Sequence, residues 1–545
     1  MWSYVQYRNI GASASSRARN RGGNRNVYNS DRSLNPSRLE ESRNTPDKGQ
    51  ISNDDEAEAG RALESPEQTP NGTPDPDTGH IVVETTGDDD DFDPRNWPLT
   101  SRAKNIIILG LLIFTQAWAG AADSIANTKA SQEFHVGKVT QNLSTALYLF
   151  GIGSGCLFVG PLSETLGRNP TYLISTFFYL FFVLGTALTK NAVGMYICRY
   201  FVGLFASATL GINGASVKDQ FRPVKTSFVF PFIAWVNVAP PVIAPIIGGW
   251  ILSNPNLNWR WMEWVLLIIS AAAFLLALVF LPETYLPLLL DWKAKHLRKS
   301  TGDDRYVSKH AEKPSLLKGF KSNITLSRHF LIEPVIAVLG AYLVLLYILL
   351  FTFLSGFEYI FKNTYNLSDG MYGSCFASLA VGATTFMLTV PWLYNWTRNR
   401  TQHVHGAPVT PEFCLWPAIY AAPFLPISLF WLGWTNDPNI SIWSGLAACF
   451  VFGNVLIAMY VSSYEYIIDS YGDHAAVALA SITMMRYLIA GGMVMAARPM
   501  FEGIGVHWTL TFLGCISALL TPGPFLLHKY GYDLRKRSQF VMNKD

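Results

Sequence analysis

From about residue 105 to residue 528, apolar residues gather in runs near twenty long, divided by short polar stretches. A helix needs about 20 apolar residues to cross the ~30 Å hydrocarbon core of a bilayer. The pattern predicts spans at roughly 105–125, 140–161, 170–189, 193–213, 228–252 and 260–281. A second set follows at roughly 331–354, 370–392, 413–433, 441–465, 475–497 and 508–528. The expected protein is an all-α membrane protein with about 12 transmembrane helices in two similar halves. Its expected parts are a disordered cytosolic N-terminal tail (1–100), a six-helix bundle (101–282), a cytosolic central loop (283–330), a second six-helix bundle (331–530) and a short cytosolic tail (531–545).

The tail is predicted because Ser, Asn, Arg, Asp, Gly and Pro dominate it, and such a segment buries too little apolar surface to offset its ordering entropy. Its opening, MWSYVQYRNI, lacks the 7–15-residue apolar core of a cleavable signal, so the first span is expected to insert by itself. Loop charge sets the orientation. Arg168, Lys218, Arg222, Lys225, Lys293, Lys295, Arg298, Lys299, Arg398, Arg400 and Arg535–Arg537 fall on one side, which places both termini in the cytosol. The sequons at Asn366 and Asn439 then face outward as glycosylation candidates. Those at Asn71, Asn323 and Asn395 face the cytosol.

Composition narrows the function classes. Half the chain is hydrophobic and 15% is charged, against about a quarter charged in a soluble domain. A net charge of +3 gives no reason to expect nucleic acid. There is no P-loop, kinase signature or HExxH, so neither ATP nor an enzymatic constellation is indicated. His403 and His405 are read as solvated, and no metal or other cofactor is expected. The six cysteines, Cys156, Cys198, Cys375, Cys414, Cys449 and Cys515, lie in or beside apolar runs and are read as small buried hydrophobes. A polytopic chain of this kind is expected to move something by using a gradient.

Charges inside spans sharpen this, since each costs about 2.5–3.5 kcal/mol or more at mid-membrane unless paired or hydrated. Arg199 lies in the fourth span and Asp123 near the outer end of the first. Glu358 falls just past the seventh, Glu465 near the inner end of the tenth and Arg486 within the eleventh. The fifth span, WVNVAPPVIAPIIGGWI, carries Pro240, Pro241, Pro245, Gly248 and Gly249. Prolines remove helix hydrogen bonds and small residues allow close approach, so this helix is expected to bend at the interface between halves. Between the second and third spans stands GPLSETLGRNP, with Gly160, Glu164, Gly167 and Arg168. Glu164 and Arg168, four apart, would share a face of a short helical turn.

These segments together resemble the major facilitator superfamily, and within it the fungal twelve-span drug:proton antiporters, a group that includes multidrug and polyamine exporters. The resemblance covers about residues 93–540. It is carried by DPRNWP (93–98), GPLSETLGRNP (160–170), CRYFVGL (198–204), APIIGGWI (244–251), NWRW (258–261), LPETYLPLLLDWKAKHLRK (281–299), TPEFCLWP (410–417) and IIDSYGDHAAVALA (467–480). Departures include Cys414, where the family commonly has Arg, and MVMAAR (493–498) in the eleventh span.

The resemblance implies two six-helix bundles that rock about a midplane site, with proton-coupled efflux of a small hydrophobic or amphipathic compound. A polyamine exporter, or a nutrient importer on the same fold, are the alternatives. Asp123 and Arg199 become proton-coupling candidates, and Gly160, Glu164, Gly167 and Arg168 a cytosolic gate. Candidate cavity residues are Gln116, Trp235, Asn237, Tyr347, Asn454, Tyr460 and Glu465. A monomer in the plasma membrane, or in the vacuolar membrane, is expected.

Overall fold

The computed structural model describes residues 3–12, 73–74, 80–85, 90, 92–308, 316–405 and 411–538, with the side chains of some stretches, such as 223–228 and 393–405, left out. The chain divides into two compact units, Met1–Trp97 with Glu283–Lys313 and Pro98–Pro282 with Pro314–Asp545.

The first unit places regular elements inside the region that composition reads as tail and loop. Residues 3–12 form a helix whose Tyr7 packs edge-on against Trp292 of the helix Leu286–Thr301, with ring centres 5.5 Å apart, and against His296 at 4.4 Å. Gln6 is held at both ends of its amide by the backbone of Glu283, at 3.1 and 3.0 Å. Strand β2 (Ile81–Val83) lies between β1 (Thr73–Pro74), antiparallel, and β3 (Tyr306–Ser308), parallel. Val83, Leu290, Ala294, Leu297 and Tyr306 form a small core. Composition averaged over 100 residues hides this because the apolar surface is shared. The tail supplies isolated apolar residues such as Ile10 and Val83, the amphipathic helix 286–301 supplies Leu290, Ala294 and Leu297, and β3 supplies Tyr306. The rest of the segment read as tail, including Asn71, lies outside the described residues.

In the second unit, 11 helices among the described residues are long and apolar enough to cross a membrane. The last, Ala475–Lys536, runs 62 residues, about three times the ~20 needed for one crossing. Gly505, at φ 78°, breaks it, and Pro522 starts a further helix to Arg537. The run therefore supplies the eleventh and twelfth spans, and the count is twelve. The second span continues helically through Gly160 and Pro161 to Leu166, beyond the end expected at Gly160–Pro161. The seventh continues as a π-turn, Glu358–Asn363, which takes in Glu358. Cys156, Cys375 and Cys449 are buried, Cys198 and Cys414 are half-buried, and Cys515 is exposed on the twelfth span.

Helix contacts repeat with a shift of six spans. The second packs on the fourth and the eighth on the tenth; the first packs on the fifth and the seventh on the eleventh. The pairs that join the two halves, fifth with eighth and second with eleventh, are equivalents under the same shift. Glycine enforces the closest approach twice. A Cβ on Gly151 or Gly203 would overlap the backbone carbonyl of Tyr200 or Tyr148, and one on Gly382 or Gly453 would overlap that of Phe450 or Leu379. Without a hydrophobic drive between helices in lipid, such backbone contact is a main source of association.

Gly203→Ala is therefore expected to destabilise the purified protein by about 1–3 kcal/mol, the range for overpacking. Gly492→Ala, with open space around its position, is expected to be neutral. Detergent thermal unfolding of both variants checks the contrast.

Candidate functional site

The fourth span begins at an N-cap, Asn191, whose side chain accepts from the Gly194 N–H at 2.7 Å. Two turns on, Arg199 points inward and is 1% exposed. Its Nη2 pairs with Asp123 of the first span and with Glu263 of the sixth, while Nη1 donates to the Ala119 carbonyl at 2.8 Å. Asp123 also accepts from Ser144 of the second span, and Glu263 from Thr186 of the third at 2.9 Å. Five spans thus converge on one guanidinium. Asp123 and Arg199, the two proton-coupling candidates, are brought together.

Glu263 is fully buried and was not among the sequence candidates. It lies three residues into the sixth helix, after the tight NWRW turn, where a carboxylate reads as a rim charge. The sequence carries no signal of its rotation, and the structure shows that NWRW itself is pinned. Trp259 and Arg260 both donate to Glu133, at 2.6 and 2.7 Å, and Arg260 donates to the Thr189 carbonyl at 2.6 Å. That clamp fixes the helix start so that Glu263 faces inward.

In the other half, Arg486 is also fully buried. Its guanidinium carbon lies 4.3 Å from the Tyr347 ring centre, 5.1 Å from Tyr460, 5.2 Å from Tyr487 and 5.5 Å from Tyr464. Tyr460 and Tyr464 stack at 4.4 Å. Tyr347 and Asn237 line a small void of about 10 Å³ together with Tyr148, Phe351 and Tyr487. Tyr460 is not among the residues that line it.

The remaining cavity candidates take other places. Gln116 is fully buried and donates to Thr176 at 3.2 Å, tying the first span to the third. Trp235 donates to Thr384 of the eighth span at 2.9 Å, across the two halves. Asn454 donates to the Phe450 carbonyl of its own helix at 3.2 Å, where Gly382 of the eighth span packs. Glu465 is half-buried one turn before Asp469, which accepts from Cys414 at 3.3 Å. Position along a span was legible, whereas rotation about its axis was not.

A larger cavity of about 400 Å³ opens toward the end that loop charge assigns to the cytosol. Gly160, Glu164 and Arg168 line it from one half, and Ala476, Val477 and Ala480 of the eleventh span from the other. Glu164 and Arg168 do not form the expected pair on a shared turn. Gly167, at φ 100°, ends one helix and starts the next, so the i,i+4 relation does not hold across it. Arg168 instead pairs with Asp219 at 2.9 Å and donates to Ser163 at 2.6 Å. Lys218, beside Asp219, donates to the Gly472 carbonyl at 2.6 Å, linking the two halves at this end.

In the fifth span, Pro240, Pro241 and Pro245 lie inside a helix that continues through them. A Cβ on Gly249 would come within 2.5 Å of the Asp369 carbonyl oxygen, and one on Gly373 within 2.6 Å of that of Pro245. Gly248 instead faces Met262 of the sixth span. Asn366 and Asn439 are both exposed. Asn323 is buried and donates to the Leu157 carbonyl at 3.0 Å. The side chains of Asn395, His403 and His405 fall outside the description.

A model of the Major Facilitator Superfamily matches residues 107–495. The MFS-type transporter kojT of Aspergillus oryzae is 38% identical over 466 residues, 84% of this chain and 82% of its own. The multidrug transporter FLU1 of Candida albicans is 31% identical, covering 84% of this chain and 76% of its own. The efflux pump bik6 of Gibberella fujikuroi is 31% identical, covering 84% and 95%. Among solved structures, the proton:xylose symporter XylE of E. coli gives a TM-score of 0.58 at 12% identity, covering 80% of this chain and 96% of its own. The human organic anion transporter MFSD10 gives 0.52 at 16%, covering 78% and 100%. At these identities the structural likeness is one of fold.

Removing one partner of a buried ion cluster costs about 3–5 kcal/mol, because a charge is left uncompensated. Arg199→Ala is expected to show that loss in thermal unfolding. The triple variant Asp123→Asn/Arg199→Ala/Glu263→Gln, with no charge left to strand, is expected to recover much of it.

Proposed function

The chain belongs to the major facilitator superfamily, with fungal efflux-type transporters among its relatives, and from that premise we propose that it exports a small hydrophobic or amphipathic compound by proton-coupled alternating access. The Asp123–Arg199–Glu263 cluster carries the proposal. Two carboxylates share one guanidinium in a buried setting. With all three ionised the cluster holds one net negative charge, which a low-dielectric interior penalises. Uptake of one proton neutralises it, and release restores it. Because five spans meet at Arg199, a change of protonation alters the interactions that hold the N-terminal half together, and that is how a proton can bias which face opens.

The end lined by Glu164 and Arg168 acts in this scheme as the cytosolic gate. Arg168–Asp219 braces the loop within its own half, and Lys218 to the Gly472 carbonyl is the tie between halves. The tie between halves is a single half-buried hydrogen bond to a backbone carbonyl, which suits a gate that must open each cycle. The names of the relatives, a multidrug transporter and an efflux pump, support the outward direction. The plasma membrane is the proposed location, with both termini cytosolic.

Cells overproducing the chain are expected to expel at least one dye of a set spanning neutral (Nile red), cationic (rhodamine 6G) and anionic (fluorescein) probes. A protonophore should collapse that export. Asp123→Asn and Glu263→Gln, normally expressed, should each abolish the protonophore-sensitive part. Undiminished export in both variants contradicts the coupling role. In the same assay Lys218→Ala is expected to change the export rate while leaving the protonophore sensitivity intact.

A further inference from the structure

Arg486 differs from four other buried arginines of the second unit in what it meets. Arg168, Arg199, Arg498 and Arg535 each face a carboxylate. Arg486 donates through Nη2 to the Tyr460 hydroxyl at 3.4 Å, and its Nε and Nη1 have no acceptor among the described residues. No ion pair to it exists among those residues. A fully buried guanidinium carrying two unused donors is costly, and the faces of four tyrosines offset only part of that through cation–π attraction.

The cage also sits between two spaces. Tyr464 lines the 400 Å³ cavity, Tyr347 and Tyr487 line the small void, and Leu210 lines both. A volume of about 300–1,000 Å³ is usual for a small-molecule site. The cavity is therefore large enough to hold a compound whose one end reaches the tyrosine wall. What that wall encloses is a planar, permanently charged fork of N–H donors, the group best matched to a carboxylate or similar planar anion. The aromatic faces around it suit a flat ring.

We propose that Arg486 with Tyr347, Tyr460, Tyr464 and Tyr487 is a binding subsite for the anionic end of a planar aromatic acid, so that the transported compounds are weak organic acids carried as their conjugate bases. This rests on the transport reading above and narrows its substrate class. Turning of the tyrosine side chains opens the partition, and the acid group displaces the Tyr460 contact to take the free N–H groups of Arg486. A polyamine is excluded from the subsite by like charge. Neutral isosteres leave the donors unsatisfied and bind less well.

The purified full chain in detergent tests this with benzoate, 1-naphthoate and anthracene-9-carboxylate, each against its primary amide, and with 1-naphthylmethylammonium as the cationic arm. Binding is read by quenching of intrinsic fluorescence and by thermal shift. The expected result is saturable binding of at least one carboxylate, about tenfold or more tighter than its amide, roughly the effect of 1.4 kcal/mol. The ammonium compound is expected to be the weakest. Arg486→Gln should erase the acid-over-amide preference while leaving amide affinity within about threefold, and Arg486→Lys should retain part of the preference. Equal affinity of acid and amide for the unmodified protein overturns the proposal, as does absence of saturable acid binding or a preference that survives Arg486→Gln. The arms on unmodified protein decide the matter even if Arg486→Gln does not fold. Loss of gradient-driven export with the acid preference intact removes the transport reading alone. Export without an acid preference removes this subsite alone.

Discussion

A guanidinium cannot lie free inside a lipid-surrounded helix bundle, and the N-terminal half of this protein is organised around that constraint. Arg199 is placed in the fourth span at a depth where water does not reach it. Two carboxylates, Asp123 of the first span and Glu263 of the sixth, are brought to it. Each carboxylate is in turn held by a hydroxyl, Ser144 or Thr186, so the cluster reaches every span of this half except the fifth. The fifth is left to pack against the eighth. The charge cluster ties five spans and leaves outside it the fifth, the one rich in proline, which packs on the first span and the eighth.

The C-terminal half solves the same problem differently. Arg486 has tyrosine faces where Arg199 has carboxylates. The helix framework is nevertheless shared: Gly151–Gly203 in one half and Gly382–Gly453 in the other bring the equivalent helix pairs into backbone contact. Packing between helices is thus repeated, while the chemistry hung on it has diverged. In the proposed scheme that division lets one half bind a proton and the other recognise a solute without disturbing the scaffold.

Much of this was legible in the sequence, and the limits are instructive. Twelve spans follow from hydropathy, because lipid imposes both length and apolarity on any crossing helix. Arg199 and Asp123 stand out for the same reason. Glu263 escaped because a carboxylate three residues inside a helix start is ordinarily solvated, and only the Glu133 clamp on NWRW turns it inward. The Glu164–Arg168 spacing misled because one positive-φ glycine, Gly167, separates two helices. Gln116 and Asn454 were read by depth alone, and a helix buried on most sides gives little periodicity from which to read its rotation. The short helix at residues 3–12 was hidden because its partner surface lies almost 300 residues away, on Trp292 and His296.

The central claim is that the Asp123–Arg199–Glu263 cluster takes up and releases a single proton. Infrared difference spectroscopy of the purified protein through a pH titration reads this directly, from the carbonyl stretch of a protonated carboxylic acid. The account predicts a reversible band equivalent to one carboxyl group that is present in the unmodified protein and missing from Asp123→Asn/Glu263→Gln. A titration identical in the two proteins would contradict it.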